Sequence, residues 1–157
     1  MTALFAALTI EPVRAQPITK LGAFSGVTSK DDGEHCSGYS MALWSLNGRA
    51  FGLIDFHAGL CGDPPCSAID EVEYDPDAGT LHLRAAIPDT ASFEGVADAT
   101  GLRGRLGQEY VELARLEELR QGSFPPDTSL TAWCAFWKAV PRCTGVADLC
   151  KSLGVDG

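Results

Sequence analysis

The sequence predicts a mainly β protein, an antiparallel meander forming a small barrel or a sandwich, with a short disulfide-tethered α-helical C-terminal tail. Three observations carry this. Apolar and polar residues alternate with a period of two through the middle of the chain. Turn residues interrupt that alternation at short, regular intervals. Half of the six cysteines (Cys134, Cys143 and Cys150) fall near the C-terminus, among residues with helical spacing.

Leu21 to Val27 reads as the first strand, followed by the turn residues Lys30-Asp31-Asp32-Gly33. Cys36 to Leu46 places Tyr39, Met41 and Leu43 on one face and Ala42, Trp44 and Leu46 on the other. Both faces are apolar, so this strand is predicted to be central. Asn47-Gly48 supplies the two positive-φ residues of a type I′ turn, and Arg49 to His57 returns as the hairpin partner.

Ala68 to Tyr74, Ser92 to Ala97 and Leu102 to Leu106 read as further strands. The turns between them fall at Asp75-Pro76-Asp77-Ala78-Gly79, Pro88-Asp89 and Ala99-Thr100-Gly101. Thr80 to Ile87 has the cleanest alternation: Leu81, Leu83, Ala85 and Ile87 share one face, while Thr80, His82 and Arg84 share the other. Gln108 to Arg120 is expected to begin as a strand and end in a short helical turn. Gly22, Gly26, Gly38, Gly52, Gly95 and Gly104 recur inside these strands, where they permit the bends a closing sheet needs and so favour a barrel.

Gln121 to Pro126 reads as a linker. Thr128 is the expected N-cap of a helix over Ser129 to Val140, stopped by Pro141, with Trp133, Phe136 and Trp137 at helical spacing. A second short helix is expected from Val146 to Leu153. The division is therefore a truncated signal peptide at 1–15, an antiparallel β domain at 16–120, and a helical tail at 121–157 packed on the same domain.

The signal-peptide reading rests on the apolar run Leu4 to Ile10 and on the small residues Val13 and Ala15 before a cut at Gln16. That run is too short to span a bilayer of about 30 Å as a helix. An even set of cysteines in such a chain reads as a disulfide framework and an extracytoplasmic location, periplasmic or secreted. Cys61 and Cys66 bracket Gly62-Asp63-Pro64-Pro65 and are expected to pair. Two of the three tail cysteines are expected to pair with each other and the third with Cys36. Zinc is disfavoured by the spacings C-x4-C, C-x8-C and C-x6-C, even with His57 beside Cys61 and Cys66. A redox dithiol is disfavoured because no C-x-x-C occurs. No cofactor is implied.

A net charge of −9 argues against nucleic acid, whose affinity comes from Lys and Arg displacing counterions. Asp55 and His57 emerge on the same strand face, the arrangement of an orienting carboxylate and a base, but no nucleophile elbow accompanies them. Asp70, Glu71, Glu73, Asp75 and Asp77 form an acidic cluster. A calcium loop there is contradicted by Pro76, by an early Gly79 and by Ala86 where a bidentate Glu belongs. Small barrels can hold one apolar ligand, and Tyr39, Trp44, Phe56, Trp133 and Trp137 are the aromatic candidates to line it. Arg103 and Arg105 share a strand face and could grip a carboxylate. The expected role is binding, of a small apolar ligand or of a protein partner. The alternatives are a hydrolase using Asp55 and His57, or a structural envelope protein without ligand.

Overall fold

The computed structural model describes residues 17–86, 91–116 and 128–156. The signal-peptide segment, the Pro88-Asp89 turn, most of the expected turn after Arg115 and the 121–126 linker lie outside these residues.

The chain runs through β1 (Thr19–Ser25), β2 (Thr28–Ser29), β3 (His35–Leu46), β4 (Arg49–Leu60), β5 (Cys66–Asp75), β6 (Thr80–Ala85), β7 (Ala91–Ala97), β8 (Gly101–Leu106) and β9 (Glu109–Arg115), then α1 (Leu130–Lys138), β10 (Cys143–Thr144) and α2 (Val146–Ser152). Sequential neighbours pair from β3 to β9, and β1 pairs with both β3 and β9. The result is a closed antiparallel barrel of 8 strands. The expected hairpin turn is present, with Asn47 at φ 50° and Gly48 at φ 81° between the paired residues Leu46 and Arg49.

Alternation sorts each strand into inside and outside. Leu81, Leu83 and Ala85 point inward, with Tyr39, Met41, Leu43, Ile54, Ile69, Phe93, Leu102, Val111 and Leu113. An eight-stranded barrel leaves an interior that side chains just fill. Curvature is possible because Gly95 and Gly104 face each other across β7 and β8: a Cβ at Gly95 would lie 2.1 Å from the Arg103 carbonyl oxygen and 2.7 Å from the Phe93 ring. The ring of Phe93 takes the space those two side chains would need.

A second apolar cluster lies outside the barrel wall. Trp44 and Leu46 of β3, Phe51 and Leu53 of β4, and Cys66 of β5 meet Leu130, Trp133, Cys134, Val146, Leu149 and Cys150 of the tail helices. This explains why β3 is apolar on both faces: one faces the barrel interior and the other is covered by the tail. Helix α1 starts one residue later than expected, with Ser129 as N-cap accepting from the Ala132 amide at 3.2 Å. Thr128 is instead held against the barrel, its carbonyl accepting from the Ile18 amide, while Ser129 bridges to Pro17.

The disulfides are Cys36–Cys61, Cys66–Cys143 and Cys134–Cys150. The Cys134–Cys150 link joins α1 to α2 inside the tail, as expected for two of the tail cysteines. The expected Cys61–Cys66 pair does not form, and the cysteine that ties the tail to the barrel, Cys143, meets Cys66 rather than Cys36. Register is the reason. The β4–β5 ladder places Cys66 opposite Asp55, while β4 continues to Leu60 paired with β3 alone. Five further residues at about 3.3 Å each carry Cys61 far from Cys66. There its amide donates to the Glu34 carbonyl, next to Cys36.

Candidate functional site

The two ends of the tail attachment define one place where chemistry-bearing residues meet. Cys143 and Thr144 pair with Cys66 and Ser67 as a short parallel strand on β5. Arg142, the residue before, donates from one guanidinium nitrogen to the Asp55 carboxylate at 2.6 Å and to the Pro64 carbonyl at 2.9 Å. The other Asp55 oxygen accepts from the Ser40 hydroxyl at 3.3 Å, across the β3–β4 ladder. His57 lies two residues along the same outer face, half-buried, and its Nδ1 is buried without a hydrogen-bond partner. Burial lowers the imidazole pKa below its usual value; Asp55 raises it and Arg142 lowers it in turn. Asp55 thus bonds Arg142 through one oxygen and Ser40 through the other.

The five aromatic candidates divide between the two apolar clusters. Tyr39 is buried on the barrel side, its ring 5.1 Å from Phe56 and its hydroxyl donating to the Glu109 carboxylate at 3.4 Å. Its pKa is raised, first by burial and then by the Glu109 charge. Trp44 faces the other way, 5.4 Å from Trp133, with Trp137 6.3 Å beyond. Trp133 is fully buried between sheet and helix. These three are the core of the tail interface.

Strand register brings charged residues of four strands into a row. Glu73 of β5 stands opposite His82 of β6, which stands opposite Glu94 of β7, which stands opposite Arg105 of β8. All are on the outer wall. A bulge adds to this row: between Ala50 and Gly52 of β4, the partner residues on β5 jump from Val72 to Ile69. The extra residue turns both Asp70 and Glu71 outward. The resulting groove, of about 520 Å³, is lined by Asp70, Glu71, Glu73, His82, Arg84 and Glu94 among others. An adjoining groove of about 360 Å³ shares Arg49, Glu73 and His82 and extends to Asp75 and Thr80.

The two guanidiniums bordering the groove are already engaged. Arg84 Nε lies 3.6 Å from Glu71, and Arg49 donates to the Ser152 carbonyl and hydroxyl of α2. Among the described residues Asp70, Glu73 and Glu94 make no ion pair, so negative charge dominates. Nothing in composition reveals the row, because it depends on four strand registers; the hairpin turns were the only signal that could have suggested it. Among the described residues no group of His, Cys, Asp and Glu is arranged to hold a metal ion, and no helix is long and apolar enough to cross a membrane. Arg103, one of the two arginines considered for carboxylate binding, is taken by Asp98 at 2.7 Å.

Comparison with protein families, with curated proteins and with solved structures finds no match to this chain.

Proposed function

We propose that this is an extracytoplasmic binding module that recognises a basic protein partner through the outer wall formed by β5, β6 and β7. The observation that supports this most is the division of the barrel surface. The interior is occupied by its own buried side chains, and the outer face of β3, β4 and the start of β5 is covered by the tail. The β5–β7 wall carries an open groove, lies outside the apolar interface of the tail and is negatively charged. A small apolar ligand finds little support in such a filled barrel. Three disulfides suit an oxidising compartment, where a partner meets the folded, stapled form.

Charge on an exposed wall acts mainly on encounter rate and on salt dependence. A fluorescent lysine-rich peptide is therefore expected to bind the wild-type protein at low ionic strength and to weaken steeply as salt is added. The Glu73→Gln/Glu94→Gln double variant is expected to lose at least tenfold in affinity while keeping its fold. Equal binding by wild type and double variant would remove this wall as the docking surface.

A further inference from the structure

We propose that the attachment of the tail to the barrel at Arg142 is a proton-sensitive latch, held while His57 is neutral and loosened when His57 takes up a proton. The geometry is that of one carboxylate bonded to Arg142 and standing two residues from His57 on the same strand face. With His57 neutral, Arg142 is the cation that Asp55 pairs with, at 2.6 Å, while Ser40 donates to its other oxygen. An imidazolium at His57 adds a second cation on the same strand face. It competes with Arg142 for the Asp55 carboxylate and repels the guanidinium, and both effects act against the 2.6 Å bridge.

Among the described residues, the groups around His57 leave the proton no other compensation. Its own strand supplies Asp55. Opposite it, β3 presents Gly38, followed by Ser40 opposite Asp55. The start of β5 and the loop before it supply Cys66 opposite Asp55, with the Pro65 carbonyl bonded to the Phe56 amide. The one carboxylate of that loop, Asp63, is exposed. The tail supplies Arg142, a fixed cation. The buried, unpartnered Nδ1 fits a ring that the fold accepts in its neutral form. A histidine held neutral in this way is a group whose protonation opposes the folded arrangement, and the histidine range is where pH changes of biological size occur.

The Cys66–Cys143 disulfide stays closed throughout, so the latch opens locally instead of releasing the tail. The reporter is built in: the Cys66 amide donates to the Arg142 carbonyl at 3.1 Å. Hydrogen-exchange protection at Cys66 is therefore expected to fall roughly tenfold between about pH 7.5 and about pH 5 in the disulfide-intact protein, with Leu83 inside the barrel unchanged. His57→Gln is expected to abolish the pH effect, and Arg142→Gln to leave Cys66 poorly protected at both values. In the wild type, the Arg142 side-chain resonance is expected to titrate with the His57 midpoint. Protection that is independent of pH, a pH effect retained in His57→Gln, or an Arg142 midpoint separate from that of His57 would each overturn the proposal.

Discussion

Trp133 is the side chain on which the tail interface converges: fully buried, edge-on to Trp44 at 5.4 Å and to Phe51 at 5.2 Å. Truncating it leaves a large cavity between sheet and helices, so Trp133→Ala is expected to cost about 3 to 5 kcal/mol in urea unfolding. Asp98 works differently, on the surface. Its carboxylate accepts from the Thr100 hydroxyl and amide and from Arg103, which holds its pKa well below the usual carboxylate range. A carboxylate with a depressed folded-state pKa stabilises the fold above its unfolded value near pH 4 and loses that contribution as pH falls further. Asp98→Asn is accordingly expected to lower stability at neutral pH and to flatten the acid side of the stability curve, measured as unfolding midpoint against pH. The same variant having an unchanged acid limb would show that the turn does not depend on the charge.

The elements show which parts of the fold the sequence carries and which it does not. Leu81, Leu83 and Ala85 are read correctly because local alternation decides which way a strand faces when one side is buried. Asn47-Gly48 is equally legible, since two adjacent positive-φ positions require those residue types. The bulge at Asp70 and Glu71 was invisible, as it depends on how β5 pairs with β4 and not on β5 alone. The cysteines fail for the same reason: proximity in sequence suggested Cys61 with Cys66, whereas strand register sent them to different partners. Arg142 was missed as well, being one of many surface-like basic residues until the tail strand placed it over Asp55. The Cys66–Cys143 bond closes a loop with a separation of 77 residues, for which chain entropy gives a stabilisation of about 4.5 kcal/mol. Cys134–Cys150 spans 16 residues and is worth about 3 kcal/mol by the same reasoning. The Cys66→Ala/Cys143→Ala variant is thus expected to lose more stability than Cys134→Ala/Cys150→Ala, with denaturant unfolding as the comparison.

For the whole molecule, closure depends on its shortest seam. Among the described residues β1 and β9 pair through Phe24 with Arg115 and Ser25 with Ala114, and the Leu116 amide donates to the Ala23 carbonyl at 2.9 Å. Arg115 reinforces that seam from three directions, donating to the Leu21 and Asp98 carbonyls and lying 4.8 Å over the Phe24 ring. Arg115→Ala is expected to raise amide exchange along β1 and β9 before it affects the β3–β4 hairpin, and uniform loss of protection would indicate that the seam is not the weak point. In a closed, self-filled barrel with one wall covered by the tail, the proposed docking role falls to the remaining surface. In the sequence that wall was legible only as an excess of acid between Asp70 and Asp77; closure of the sheet turned it into a groove. Chemical-shift mapping of the disulfide-intact protein during titration with a lysine-rich peptide tests this most directly. The expected result is perturbation centred on Glu73, His82 and Glu94 and their neighbours on β5, β6 and β7. Perturbation centred on the inward-facing residues or on the tail helices would contradict it.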